Sequence, residues 1–258
     1  MTLRFSTGVR NGLAGGMGFQ GMFNRGYMNI YSGSQPTSAD AAATGTLLGT
    51  ITVASGALTK ETRATGSITL TGGASGSVNT VTVGGLNIIP DGAVAFNTSL
   101  NQTASDLCDA INRNGIMEAS VSSATVTLKG RPGTGVTTAA VSSTLTTITA
   151  SYVNMGSGVA GVAPVNGLIL LPPASGVISK NTNVWSMAGI AAGTAGWFRL
   201  YSSDTADTGA LLSAAPWYPR IDGSCGVGSG DAQLSSLTVA VGSPHTVDTF
   251  TFTIPANA

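Results

Sequence analysis

Charge is what this sequence most conspicuously lacks. Only 9% of its 258 residues are Asp, Glu, Lys or Arg, eleven acidic and eleven basic, so the formal net charge is zero. An ordinary soluble domain carries about 25% charged residues. A freely diffusing monomer uses such charge to stay dispersed, so a chain this poor in it is expected to cover much of its exterior with neighbours. The basic residues are scattered singly, which removes the clustered Lys and Arg that phosphate backbones require and excludes direct nucleic-acid binding.

Histidine is nearly absent. The one copy, His245, stands in a Ser-Pro-His-Thr stretch read as a surface turn. Hydrolytic triads and most catalytic metal centres need an imidazole oriented by a second group, so this inventory argues against an enzyme. The two cysteines, Cys108 and Cys225, have no metal-ligand spacing and imply neither a disulfide framework nor a metal site. They read as buried thiols, with an intermolecular bridge as the alternative.

Long hydrophobic runs are missing too. The longest candidate, Gly167 to Leu171, stops at Pro172 and Pro173, far short of the ~18 residues of a membrane span. The first residues, with Arg4 and Arg10 in a polar stretch, show no apolar signal core, so synthesis in a cytoplasm is expected.

What remains is a hydrophobic content of 42% with 36 glycines, enough apolar surface for a packed, β-rich fold. Val9, Leu13, Met17, Phe19, Met22 and Phe23 recur at mixed helical spacings among glycines, predicting short helical turns in an N-terminal arm. Strands are expected at Tyr27 to Ser32 and Leu47 to Val53.

From about Lys60 to Pro164 the composition shifts to Ser, Thr, Gly, Val and Ala, with few aromatics. Strands are expected there at Ser67–Thr71, Asn79–Ile89, Ala119–Lys129 and Leu145–Tyr152. One helix is predicted between a cap at Ser99 or Asn101 and a stop at Gly115, with Ala104, Leu107, Cys108 and Ile111 on one face. After Pro164 the style of the N-terminal residues returns, with aromatics among the strands. Thr194 to Tyr201 alternates, placing Ala195, Trp197, Arg199 and Tyr201 on one face. Phe250, Phe252 and Ile254 alternate near the C-terminus.

The fold expectation is therefore mainly β. A β-sandwich-like outer domain with an N-terminal arm is built from residues 1–59 and 164–258, and a smaller α+β module is inserted at 60–163.

Several motifs bear on chemistry. Gly223-Ser224-Cys225-Gly226 has the look of a cysteine-protease nucleophile loop, but the only histidine lies downstream, and a glycine-rich β turn fits better. Gly156, Gly158 and Gly161 match a phosphate-loop spacing without a following helix. Asp204 with Asp207, or Asp222 with Asp231, completes no calcium loop. No catalytic, cofactor or metal residue is assigned.

The run Leu3 to Asn11, the run Met28 to Ala42 with Thr44 to Leu48, and the stretches Gly193 to Leu200 and Pro219 to Ser224 resemble a group of tailed-bacteriophage structural proteins. Val81 to Gly85 and Ala104 to Asn112 resemble a small module that recurs as an insertion in phage and other surface-assembly proteins. The resemblance implies a non-enzymatic virion component, a head decoration or collar layer ahead of a tail-tube subunit, whose partners are copies of itself and other virion proteins. Phe19, Met22, Phe23, Trp197 and Trp217 are then the candidate subunit-interface residues. The alternative is a fibre or spike adhesin that stacks a glycan receptor on Trp185, Trp197 and Trp217.

Overall fold

The computed structural model describes residues 3–133, 138–205 and 217–253; Asp207 and Ile254 fall outside them. The chain divides into two compact units, one of residues 1–61 and 164–258, the other of residues 62–163.

The first unit contributes β1 (Arg4–Phe5), α1 (Thr7–Ala14), α2 (Phe19–Phe23), β2 (Tyr27–Ser32) and β3 (Leu47–Val53) from its N-terminal part. The second holds β4 (Thr65–Gly72), β5 (Ser77–Val83), β6 (Leu86–Asn87), β7 (Val94–Ala95), α3 (Leu100–Asn114), β8 (Glu118–Ser122), β9 (Thr125–Lys129), β10 (Val141–Thr146) and β11 (Thr149–Val153). The first unit resumes with β12 (Val177–Ser179), β13 (Trp185–Ala188), β14 (Gly193–Tyr201), β15 (Arg220–Gly226), β16 (Ala232–Leu234), β17 (Thr238–Val239) and β18 (Pro244–Thr253).

The mainly β character with a few helices is as expected, but the first unit is a closed barrel of seven strands rather than two facing sheets. The ring runs β14-β2-β3-β13-β18-β16-β15, and it closes because β14 pairs β2 on one side and β15 on the other. A ring of antiparallel pairs alone must contain an even number of strands. Seven strands are possible because β15 and β16 run parallel, Cys225 opposite Ala232. Parallel neighbours normally need a long crossover. Here the connection is only Val227 to Asp231, and it folds back so tightly that the Asp231 amide donates to the Ser224 carbonyl at 3.1 Å. Gly228 and Gly230, at φ 63° and 84°, supply the left-handed backbone this reversal demands.

The barrel core contains Met28, Ile30, Leu48, Ile51, Trp185, Phe198, Leu200, Ile221, Leu234, Val247 and Phe250. Ala195 joins it, although simple alternation puts Ala195 on the face of Trp197. A register shift between Ala195 and Trp197 against β2 inverts the alternation at that point. The N-terminal arm packs on its own unit: Ser6 caps α1 by accepting from the Val9 amide, and Phe19 stacks on Phe252 with centroids 4.2 Å apart.

The second unit has two four-stranded sheets, β10-β5-β6 with β7 also on β5, and β11-β4-β9-β8. Two of the long strands read from the sequence are hairpins, folded at Gly84-Gly85 and at Ser123-Ala124. The helix α3 lies where its pattern places it, with the Ser99 side chain accepting from the Gln102 amide and Gly115 left-handed at φ 59°. Its buried face of Ala104, Leu107, Cys108 and Ile111 packs with Ile68, Val81, Val126 and Leu128.

Candidate functional site

The five residues expected at a subunit interface lie inside the first unit. Phe19, Met22, Phe23, Trp197 and Trp217 are all buried within this single chain. Their side chains leave no face for a second copy, because the arm folds onto its own barrel and Trp197 lies beneath a covered wall. Trp185 is buried as well, so the tryptophans form no exposed platform on which a sugar could stack.

The unexpected feature is where the charge goes. Of eleven acidic and eleven basic side chains, Glu61, Arg63, Arg199, Asp204, Arg220 and Asp222 are buried. All but Arg63 belong to the first unit. Much of this charge lies on the outer wall of the barrel at β2, β14 and β15, the face turned away from Phe198 and Leu200. Register stacks that wall in rows: Tyr27, Tyr201 and Arg220; Asn29, Arg199 and Asp222; Tyr31, Trp197 and Ser224. The middle row extends to Thr50 on β3 and Arg4 on β1.

In that row Arg199 clasps Asp222 through two parallel bonds, Nε to Oδ1 at 2.6 Å and Nη2 to Oδ2 at 2.7 Å. Burial works against the Arg199 charge, but the hydrogen bonds and charge of Asp222 outweigh it and hold its pKa above the usual arginine value. Burial pushes the Asp222 carboxyl upward, opposed by Arg199, Arg220 and Arg4. Aromatic rings flank the row: Tyr27 stacks on Tyr201 at 4.8 Å, Tyr31 on Trp197 at 4.5 Å, and the Arg199 guanidinium lies 5.5 Å from the Trp197 centroid. Burial, then Tyr31, raises the Tyr201 pKa.

This wall holds a loop. Residues 33–46 leave β2, run over the wall and return to β3. The remaining Arg199 donor, Nη1, bonds the Ala41 carbonyl at 2.8 Å, and Arg4 Nη1 bonds the Pro36 carbonyl. Asp40 accepts from the Thr7 amide at 2.9 Å and the Thr7 hydroxyl at 2.8 Å. Ser34, Pro36, Thr37, Ala42 and Thr44 line an open hollow of about 530 Å³ on this loop. The only charged residue of the loop, Asp40, is thus already engaged.

The end of the barrel from which the loop springs also presents apolar tips. Ile190 is 60% exposed, Val227 58% and Val241 71%. They sit on the β13–β14, β15–β16 and β17–β18 connections. Ile190 and Val241 are neighbours, since the Gly242 amide donates to the Gly189 carbonyl at 2.7 Å and the Gly189 amide to the Ser243 carbonyl at 2.9 Å.

The residues considered for catalysis are otherwise occupied. His245 is buried on β18, not in a surface turn, with Nε2 2.8 Å from the Ser243 hydroxyl. Burial, then Asp231, pushes the Cys225 thiol up to about 12, which holds it protonated and unreactive at neutral pH. Asp231 is held by Ser224, accepting from its amide and its hydroxyl at 2.8 Å each. The Gly156 and Gly158 amides both donate to the Thr65 carbonyl and point at no anion site. Among the described residues no group of three or more His, Cys, Asp or Glu is placed to hold a metal ion, and no helix is long and apolar enough to cross a membrane.

The sequence signal for the charged wall is visible in part. The alternation at Trp197, Arg199 and Tyr201 marks a face, but only register with β15 pairs Arg199 with Asp222. Comparison with known proteins adds no family: no family model, curated protein or solved structure matches the chain.

Proposed function

We propose that this chain is a non-enzymatic structural component of a bacteriophage virion that assembles with copies of itself and with other virion proteins. The observation that carries the reading is the inward placement of charge. A chain with little charge to begin with commits six charged side chains among its described residues to the interior and leaves apolar side chains such as Ile190, Val227 and Val241 exposed. Exposed apolar tips are a cost to a solitary protein and an asset to one that is covered.

A head decoration or a collar layer fits better than a tail-tube subunit. A closed barrel has few free strand edges, so it offers little for the strand-to-strand joining that would extend a tube wall from subunit to subunit. A glycan-binding adhesin loses its main support with the tryptophans interior. The resemblance of the Met28 to Ala42 run to tailed-phage proteins coincides with the loop that the charged wall clamps, giving that run a physical reason to be specified.

The test is quantitative mass spectrometry of gradient-purified particles followed by cryo-EM of the same particles. Ordered, repeated density for the chain on the head surface or neck is expected. Absence from intact particles, or presence only at fibre tips, would sink the structural reading.

A further inference from the structure

We propose that the β8 edge of the inserted unit is closed to strand addition by the side chain of Asn112, which occupies the place a further strand would take. The inference stands apart from the virion reading, because it concerns an edge within residues 62–163 alone.

The sheet ordered β11-β4-β9-β8 ends at β8, which pairs β9 on one side only. An edge strand turns the amide and carbonyl of every second residue outward, where another chain can bond them. The usual protections are missing on β8. Its five residues include no proline, and its register with β9 runs from Glu118 opposite Lys129 to Ser122 opposite Thr125 without a bulge. Its one charge, Glu118, is taken up by Arg63 at 2.6 Å. Ser120, Val121 and Ser122 are exposed and uncharged.

What covers the edge is a carboxamide. The Ala119 amide donates to Asn112 Oδ1 at 2.8 Å, and Asn112 Nδ2 donates to the Ala119 carbonyl at 2.9 Å. A carboxamide presents one acceptor and one donor side by side, the same pair that a residue of a neighbouring strand would present. Because the single Ala119 N–H points to Asn112, Ala119 and Leu128 form the kind of opposed pair that exchanges no ladder bonds. Alternation then turns the amide and carbonyl of Val121 outward as well, on a residue that is 40% exposed. A strand added here would bond through Ala119 and Val121. With Ala119 taken, a single residue is left, too little for a ladder.

Local chemistry sets the guard in place. Gly115 ends α3 in the left-handed conformation with its amide on the Asn112 carbonyl at 3.1 Å, and the chain reverses so that Ala119 returns beside the last helical turn. Ile116 and Met117 anchor the reversal in the core of this unit. The sulfur of Cys108, one turn before Asn112, lies 3.5 Å from Nδ2 and helps to fix the amide's orientation. Asn112 is itself exposed, so substituting it empties no core.

The experiment compares the full chain with Asn112→Ala, and with Asn112→Ala carrying Val121→Pro, by sedimentation equilibrium after circular dichroism and melting have verified the fold. The occupant of an opened β8 is β8 of a second copy, because antiparallel pairing across a two-fold axis lets each edge supply what the other lacks. Asn112→Ala is expected to strengthen association about tenfold or more over wild type. Val121→Pro removes an outward amide without breaking a bond to β9, and is expected to return association to the wild-type level. If Asn112→Ala does not fold, Asn112→Asp takes its place with the same expectation, since it keeps the acceptor and loses the donor. Hydrogen exchange on the wild-type chain needs no variant: the Val121 amide is expected to exchange at least about tenfold faster than that of Ala119. Association no stronger than wild type in the opened variant overturns the guard. So does association that survives Val121→Pro, or wild-type exchange of Ala119 as fast as that of Val121.

Discussion

Arg199 and Asp222 illustrate what a buried pair contributes. Taking two charges out of water costs several kcal/mol, which the bidentate contact and the flanking Arg220 and Arg4 offset, so the pair adds little net stability. Removing one partner is another matter. Asp222→Asn is expected to cost about 3–5 kcal/mol in urea unfolding, since it strands the Arg199 guanidinium. The paired replacement Arg199→Met with Asp222→Leu is expected to cost much less than twice that, which a double-mutant cycle would read. If the single change costs under about 1 kcal/mol, the wall does not anchor the loop through this pair. Thiol chemistry gives a second residue-scale check. Cys108 and Cys225 both have pKa values raised, first by burial and then by a neighbouring aspartate. Native protein at pH 8 should therefore react slowly with a disulfide reagent and release two thiols promptly once unfolded. A fast native phase would contradict the burial and revive the intermolecular bridge. Asp106 carries the pH argument: hydrogen bonds from Asn97 and Gln102 lower its pKa. A lowered folded pKa means that its contribution is complete above the unfolded value of about 3.9 and fades as pH falls through the folded one. Carboxyl NMR should place the Asp106 midpoint below that of ordinary aspartates; a midpoint at or above it would remove the contribution.

Elements are legible in the sequence where local chemistry decides them and opaque where pairing does. The helix α3 is readable because its cap, its apolar period and its left-handed stop are all encoded within seventeen residues, Ser99 to Gly115. Ser99→Ala is expected to lower the stability of that unit by about 1 kcal/mol, measurable as a shift in its melting or denaturant midpoint. No change would mean that packing under α3, rather than its cap, fixes the start. Strands β2 and β3 are equally readable from β-branched and aromatic residues between turns. The hairpins at Gly84-Gly85 and Ser123-Ala124 escape such a reading because the apolar pattern continues on both sides of the turn, and composition alone does not mark the reversal. Barrel closure is invisible for a deeper reason. It depends on β14 finding both β2 and β15, contacts separated by more than a hundred residues on one side, and on one parallel pair that no local pattern announces. The five expected interface residues fail by the same logic. Large apolar side chains in a chain poor in charge can serve a subunit contact or an internal core, and sequence does not distinguish the two. Within the first unit the core claims them, and the exposed large apolar side chains include Ile190, Val227 and Val241, ordinary residues in short loops.

At the scale of the molecule, two apolar cores stand in separate units, one in the barrel and its arm, the other between the two sheets and α3. The change of composition at Lys60 and Pro164 nearly coincides with the points where the chain passes between units. A core that is complete within its own unit needs nothing from the other to fold. The barrel also keeps its own ends of the interruption together: the Thr59 amide donates to the Val165 carbonyl at 3.2 Å, and the Val165 amide returns the bond to the Thr59 carbonyl at 3.0 Å. Joining residues 61 and 164 through a short Gly/Ser linker therefore asks the chain to span a gap that a strand pair already brackets. Closing a short flexible loop costs less entropy than closing one of a hundred residues, by about 2–3 kcal/mol on logarithmic scaling. The linked barrel is expected to fold with a cooperative melt and a dispersed amide spectrum, and to keep the Arg199 and Asp222 clasp, so that Asp222→Asn destabilises it as it does the full chain. An expressed but molten barrel, with strand-like circular dichroism and no cooperative transition, would show that the inserted unit contributes to the barrel's stability after all, and the two units would then have to be treated as one folding unit.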